Sequence, residues 1–504
     1  MLNLLTSEQI RQADKYTIKH RPIQSIDLME HAALAFVEAF MKNYPDKRKA
    51  IAVYCGTGNN GGDGLAIARL LFRNGYKVDV KIARFSGKSS SDFDGNLARL
   101  MSQGILFDEF KKVAELKEER ASIIIDALLG SGLNKQLNGE WLTLVEWLNS
   151  LGRTIVSVDI PTGFNAEGPV SKHDVTIKSD LTISFQRPKL NFLLPESEFC
   201  IKRFEVVEIG LDEEFIQALD TPYSLITDRD IKRRLKPRAQ FSHKGTFGHA
   251  LILAGGTETL GAALLCAEAC VNTGAGLTTA CIPSAGLTAL NIRIPEAMVA
   301  LRYNNALPAD LSWGKFRSVA IGPGLGTSSE SKLILQETLK NFRHPLVVDA
   351  DAINLIATNP ELIFMVPKHS IFTPHVKEFD RLFGDHENWW NRLETGLKKA
   401  KELECIIVLK NRYTIIFTPE GKCIFNPTGT PAMATGGMGD VLTGMIVSFL
   451  VQGYKPEDAA ILGVFLHGAA GQEIVHKKGL AIVIPSKLIQ YIAQVIYSYQ
   501  KGND

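Results

Sequence analysis

Residues 55–64 read CGTGNNGGDG: five glycines, the pair Asn59–Asn60 and one carboxylate, Asp63. Glycine removes the side chain where backbone must come close to something. Asn59 and Asn60 offer neutral amide oxygens and Asp63 a charged one. The stretch follows the apolar run IAVYC and precedes a helical pattern that the sequence starts near Leu65. Strand, glycine loop and helix in succession offer N–H groups and a positive helix end to phosphate. The stretch is not G-x-G-x-x-G in its dinucleotide form, nor the phosphate loop that ends in Gly-Lys-Ser/Thr. Two more apolar runs end in carboxylates: SIIID at Asp126, before ALLGSGLNKQL, and TIVSVD at Asp159, before IPTGFN. Open α/β sheets bind ligands beyond the carboxyl ends of their strands. On that edge Asn60, Asp126 and Asp159 with Thr162 would gather amide, carboxylate and hydroxyl oxygens, a set suited to a hard cation. Each alone reads as a helix cap or turn former. Gathered beside the glycine loop, they read as a site.

A second stretch, ATGGMGDVLTGMI at 434–446, repeats the logic near the other end of the chain. The amides of Gly436 to Gly439 and a helix opening at about Asp440 form an anion hole. As a first-turn acid Asp440 is worth about 0.3–1 kcal/mol through the helix dipole. As a base it would take the proton of a hydroxyl attacking a phosphoryl group.

These residues need sheets behind them. In the first half, runs at 49–56, 77–83, 122–130, 154–161 and 179–185 are rich in Ile and Val, and amphipathic segments separate them. That alternation predicts βαβ units and a parallel sheet. Thr6 or Ser7 caps a leading helix. The second half repeats the style at 249–256, 318–324, 345–352, 370–375 and 405–411, then at 414–426, which turns back on itself around Pro419–Gly421 as a hairpin. The expected architecture is two α/β domains, 1–218 and 226–504, of 504 residues in all.

Composition excludes several classes. A net charge of +2 announces no nucleic-acid or acidic-membrane partner. No run approaches the roughly 18 apolar residues of a membrane span, and the N-terminus does not read as a signal peptide. Seven cysteines are scattered without CxxC. Cys266 and Cys270, four apart on a predicted helix, read as buried thiols because no matching His or Cys pair follows. A reducing, cytoplasmic setting is expected.

GTGNNGGDG, DALLGSG and VDIPTG, in that order, resemble the NAD(P)H-hydrate epimerase domain over about residues 1–215. The resemblance implies a Rossmann-like three-layer αβα fold. It implies substrate contacts from Asn59, Asn60, Gly61, Gly62, Asp63, Gly130, Ser131, Gly132, Leu133, Asn134, Lys135, Gln136 and Asp159. It also implies potassium on Asn60, Asp126 and Thr162. Asp159 is the candidate acid/base for inverting the hydrated carbon. HKGTFGHALILAGG, GPGLG, VDADAINLI, TPHVKEFDRL and LKNRYTII, followed by GGMGD, resemble a ribokinase-like fold and, within it, NAD(P)H-hydrate dehydratase over roughly 225–500. This second resemblance implies a hydrate pocket lined by Ala262, Gly324, Gly326 and His375, with Asp440 on the substrate hydroxyl. The nucleotide would be held by Lys410, Asn411, Arg412, Tyr413, Thr414, Thr430, Gly436, Gly437 and Gly439. ADP would be the phosphoryl donor, with Mg²⁺ neutralising the transferring group.

The whole chain thus resembles the fused bifunctional repair family, whose substrates are NADHX and NADPHX, and a homo-oligomer is expected. Two departures from the family pattern stand out: Val376–Lys377 replaces Pro-Gly, and Asn411 replaces the glycine after Lys410. Two other readings remain open, a ribokinase-like kinase of a small alcohol and a first domain that binds ligand without catalysis. Asn60, Asp63, Asp126 and Asp159 together speak against the latter, since a scaffold has no chemical use for all four.

Overall fold

The structure is a computed structural model that describes residues 1–21, 23–132, 136–304 and 306–501. It divides into two units. One comprises Asn3–Thr221 with Asn388–Trp390; the other comprises Met1–Leu2, Pro222–Glu387 and Asn391–Asp504. Both are mixed α/β with largely parallel sheets.

The first unit holds a seven-stranded parallel sheet. Across it the strands run Phe107–Phe110, Lys77–Ala83, Ala50–Cys55, Ile123–Ala127, Thr154–Val158, Leu181–Phe185 and Phe204–Val207. The chain winds outward from Ala50–Cys55 in one direction and resumes at Ile123–Ala127 in the other. Between those two neighbours lies the crevice where such sheets take ligands. Helices Ser25–Asn43, Asn59–Arg73 and Ser91–Met101 cover one face, burying Phe36, Phe40, Leu65 and Leu71 against Val53 and Ile125. Gly139–Ser150 covers the other face through Leu144 and Leu148, against Tyr54 and Ile124. Thr6 does cap the leading helix, in a reciprocal box with Gln9.

The second sheet, from Tyr223 onward, orders its strands as Tyr223–Leu225, Cys423–Phe425, Ile415–Phe417, Ile406–Leu409, Ile371–Phe372, Val347–Val348, Ser318–Ile321, His249–Leu253, Leu277–Pro283 and Met298–Arg302. The expected hairpin is present as the antiparallel pair Ile415–Phe417 with Cys423–Phe425. Leu277–Pro283 and Met298–Arg302 were not legible as strands. Two threonines interrupt the apolar run of the first, and the second is a half-buried edge strand. Leu260–Thr273, Met438–Val451 and Pro485–Gln500 pack on one face; Ser329–Asn341 and Ala350–Thr358 pack on the other. Met438–Val451 is apolar all round and almost wholly buried, as expected of a helix inside a core. A Cβ on Gly444 would lie 2.1 Å from the Cys266 carbonyl oxygen, so the glycine lets this helix close on Leu260–Thr273. All seven cysteines are buried and unpaired, Cys266 and Cys270 among them. Among the described residues, no helix is long and apolar enough to cross a membrane.

Candidate active sites

The helix after the first strand starts at Asn59, not near Leu65; Gly58 is its N-cap. The glycines of NNGGDG therefore sit in the first two turns of a helix rather than in a loop. Their reason is closeness rather than a left-handed backbone. A Cβ on Gly61 would lie 1.8 Å from the Gly56 carbonyl oxygen, and one on Gly64 would lie 2.5 Å from Ala127 Cβ. The helix is thus drawn tightly onto the sheet, and its N-terminal amides face the crevice between the two central strands.

A cavity of about 530 Å³ opens there. Among the predicted residues its lining includes Asn59, Asn60, Asp63, Gly130, Ser131, Gly132 and Asp159. Gly61, Gly62 and Gln136 are not in the lining. Gly61 and Gly62 are buried in packing, and Gln136 bonds Asp174 instead. Leu133, Asn134 and Lys135 lie outside the described residues.

Asp159 occupies a left-handed backbone position, φ 62°, at the end of its strand, where a non-glycine residue costs free energy. Its Oδ1 accepts the Phe185 N–H at 2.9 Å and pairs with Lys189 Nζ at 2.7 Å. The Lys189 side chain is 2% exposed. Around this pair stand carboxyls that burial pushes up. Asp14 reaches about 6, raised by burial and then by Asp159, with Lys189 opposing. Asp63 is raised well above the usual range, by burial first and then by Asp159, Asp14 and Asp92.

Asp126 is fully buried. Thr162 donates to it twice, from Oγ1 at 2.7 Å and from N at 2.9 Å, and Ser157 Oγ donates at 2.9 Å. Burial raises its pKa, and these donors lower it. Thr162 Oγ1 in turn accepts the Leu129 N–H at 3.0 Å, which ties the two loops flanking the crevice. Asn60 comes to the same place: its side-chain oxygen lies 3.6 Å from where a Cβ on Gly130 would be, and its buried Nδ2 has no partner.

In the second unit five parallel strands end along one edge and deliver Gly255–Gly256, Gly322–Gly326, Asp349–Asp351, His375 and Lys410. Helix Met438–Val451 points its N-terminus at them, with Gly437 as left-handed cap at φ 90° and Asp440 in the first turn. A Cβ on Gly439 would lie 3.4 Å from Lys410 Nζ. Lys410 Nζ pairs with Asp349 Oδ1 at 2.9 Å, and Thr443 Oγ1 donates to Asp349 Oδ2 at 2.7 Å. Glu378 lies 3.8 Å from Lys410. Three carboxylates, Asp349, Glu378 and Asp440, thus act on one ammonium. Burial, then Asp349, push Asp440 up to about 7, while Lys410 pulls the other way.

Ala262 and Gly324 meet as expected, since a Cβ on Gly324 would lie 2.9 Å from Ala262 Cβ. The Gly326 N–H donates to Asp351. His375 and Glu378 form a reciprocal cap, with Val376 opening helix Val376–Phe383 and Lys377 exposed. Asn411 holds its own turn: its Oδ1 accepts the Arg412 N–H at 2.6 Å, and its carbonyl accepts Thr414 Oγ1 at 3.0 Å. Thr430 caps the short turn Pro431–Met433.

Two family profiles match this chain: NAD(P)H-hydrate dehydratase over residues 250–494 and YjeF-related protein N-terminus over 25–191. The bifunctional NAD(P)H-hydrate repair enzyme Nnr of Moorella thermoacetica is 32% identical, over 99% of this chain and 97% of the relative. The chain belongs to the bifunctional NAD(P)H-hydrate repair enzymes. A second member of that family, from Escherichia coli K12, is 32% identical over 97% of this chain and 93% of its own length. A solved structure, the ADP/ATP-dependent NAD(P)H-hydrate dehydratase from Bacillus subtilis, is 29% identical and matches 55% of this chain and 98% of that one, with a TM-score of 0.48.

Within this repair-enzyme chain, sequence reasoning missed Asp14, Lys189, Asp349 and His467. Asp14 sits in an ordinary amphipathic helix, and Lys189 in a loop without a motif. Asp349 had a signal, since it ends a strand as Asp126 and Asp159 do. Burial pushes His467 down to about 4, and its ring contacts the Met438 backbone beneath the glycine loop.

Proposed function

We infer that the chain repairs hydrated nicotinamide nucleotides at two sites. The first unit interconverts the R and S forms of NADHX and NADPHX. The second dehydrates the S form to NADH or NADPH with ADP, releasing AMP and phosphate. The observation that carries the second assignment is Asp440. It stands at a helix N-terminus built to hold a phosphoryl group, and its pKa of about 7 suits a base working near neutrality.

In the second site the terminal phosphoryl of the nucleotide passes to the C6 hydroxyl oxygen while Asp440 takes the hydroxyl proton. The C6–O bond then breaks with its electron pair on phosphate, a proton leaves C5, and the C5–C6 double bond of the dihydronicotinamide returns. Phosphorylation matters because hydroxide is the poorer leaving group. Lys410 to Thr414, Thr430 and Gly436, Gly437 and Gly439 would hold the nucleotide. Ala262, Gly324, Gly326 and His375 would line the hydrate pocket.

Magnesium fits this edge as a partner of the phosphates. Asp349, Asp351 and Glu378 carry the negative charge that adds to burial in lifting Asp440, although among the described residues no three His, Cys, Asp or Glu side chains cluster as a metal site of their own. Asp349, Glu378 and Asp440 would face the ion, which would neutralise the transferring phosphoryl group. In the first site, burial opposes the Asp126 charge, and a monovalent cation would offset that cost; the unpartnered atom of Asn60 is its Nδ2 donor, so its Oδ1 would be the atom facing the ion. Asn60, Asp126 and Thr162 would hold potassium there, where it would supply fixed positive charge beside the bound phosphates.

The test is recovery of NADH absorbance from mixed NADHX epimers with ADP. Complete recovery, faster than spontaneous epimerisation allows, is expected. Recovery of the S portion alone would remove the epimerase assignment. No recovery with ADP or ATP would remove the dehydratase assignment and return the small-alcohol kinase.

A further inference from the structure

Inverting the hydrated carbon requires breaking a bond at C6 and remaking it on the other face. If the ring opens, the hydroxyl loses its proton, the C6–N1 bond breaks with its electron pair on N1, and N1 gains a proton. An aldehyde results; it rotates about the C5–C6 bond and closes again with the two transfers reversed. If the C6–O bond breaks instead, the hydroxyl leaves as water after gaining a proton, and a water returning from the other side gives one up. Each route takes one proton off and puts one on. One carboxylate in one protonation state serves half of this exchange.

The cavity of the first unit holds more than one acid. Asp159 is the carboxylate of an ion pair with Lys189. Asp14 comes from helix Ser7–His20, a different element, and lines the same cavity. Among the described residues the Asp14 carboxyl makes no hydrogen bond and no ion pair. Every charged group that lines the cavity with it can be named: Arg11 on its own helix, Asp63, Asp92, Asp159 and Lys189. Burial first, and then the Asp159 carboxylate, let Asp14 hold a proton at a pH where an exposed aspartate has lost it, with Lys189 opposing. A half-buried carboxyl with no protein partner stabilises nothing in the fold. Such a group aimed into a cavity marks a functional position.

We propose that Asp14 is a second catalytic carboxyl of the epimerase site, the proton donor that works opposite Asp159. In ring opening Asp159 takes the proton of the C6 hydroxyl while Asp14 delivers one to N1, and on closure the two exchange roles. In C6–O cleavage Asp14 protonates the leaving hydroxyl and Asp159 takes the proton of the returning water. Asp63 is the less suitable donor. Burial and three neighbouring carboxylates hold its pKa well above the usual range, so it keeps its proton. Asp14 titrates at about 6 and can both give and regain one near neutrality.

This rests on the epimerase assignment above, and the test separates the two. R-NADHX is incubated with the full-length protein, and the epimers are separated by chromatography over a range of pH. If the unaltered protein does not epimerise, the assignment itself falls. With the unaltered protein active, Asp14→Asn is expected to lower kcat at least about 100-fold, within the range removed with a general acid. KM should stay within about threefold, and the limb near pH 6 should vanish. Asp14→Glu should restore part of the rate and a shifted limb. Dehydration of S-NADHX with ADP should be unchanged in both, since Asp14 lies in the other unit. An Asp14→Asn protein that epimerises within threefold of the parent, or that loses only through KM, overturns the proposal. If Asp14→Asn fails to fold, Asp14→Glu decides: an unshifted pH profile overturns the proposal and a shifted one supports it.

Discussion

Asp440 can be read as a helix-cap acid or as a base, and magnitudes separate the two. An acid in a first helical turn gains about 0.3–1 kcal/mol from the dipole. Asp440 instead has its pKa lifted from the usual 3.8 to about 7, chiefly by burial and by Asp349. One pKa unit corresponds to about 1.4 kcal/mol, so the site opposes this charge more strongly than the dipole favours it. The sign of the effect on stability follows. Between about pH 4 and pH 7 the folded protein keeps a proton that the unfolded chain has lost. Stability therefore falls as pH rises through that window and stays lowered above it. Asp440→Asn should melt higher than the parent at pH 8, by on the order of 1–3 kcal/mol, and the difference should close near pH 4. Thermal melts at the two pH values check this; equal melting at both would leave Asp440 with only a capping role. As the proposed base, the same residue should also set the rate. Dehydration should rise with pH and level off above about 7 as the base loses its proton. Asp440→Asn should lose that limb along with about 10²–10⁴-fold in kcat.

At the level of elements, the glycines of the first site divide by what stands behind them. Gly61 has no room: an added Cβ would meet the Gly56 carbonyl oxygen at 1.8 Å, and that atom is backbone. Gly58, three residues earlier, has open space and an extended backbone at φ −91°. Gly61→Ala should push helix Asn59–Arg73 off the sheet, costing about 1–3 kcal/mol or more as an overpacked core does, and epimerisation should fall with it. Gly58→Ala should leave the melting temperature nearly unchanged. Parallel melts of the two variants decide whether the stretch is a flexible loop, where both would be tolerated, or a helix locked onto the sheet.

That distinction marks the limit of the sequence. Strands Ala50–Cys55 and Lys77–Ala83 were legible because the first is a continuous apolar run ended by glycine and the second carries Val or Ile at every other position before Arg84. The start of the following helix was not, because five glycines within nine residues read locally as loop. Only packing against Ala127 and Met29 makes them helical. Asp126, Asp159 and Asp440 were legible as chemistry because they follow strand ends or a glycine cluster. Asp14 and Lys189 were not, since their importance lies in which cavity they reach, and tertiary structure alone sets that.

Over the whole chain, two sites, each with its own proposed catalytic carboxyl, act on one substrate in sequence, and the product of the first is the substrate of the second. Nothing in the chemistry requires both steps on one polypeptide, because the S epimer is a stable molecule that can leave one site and enter another. Asp159→Asn should therefore dehydrate the S portion of a mixed preparation at the parent rate, then slow to the pace of spontaneous epimerisation. Asp440→Asn should yield almost no NADH while still equilibrating the epimers. An equimolar mixture of the two should recover all the NADH at a rate within a few-fold of the parent. Absorbance progress curves for the three samples test this directly. If the mixture stalls at the S portion as Asp159→Asn does alone, the epimer does not pass between molecules, and the two steps must be coupled within one chain. If Asp159→Asn by itself runs to completion at the parent rate, Asp159 has no part in the proton exchange at the first site.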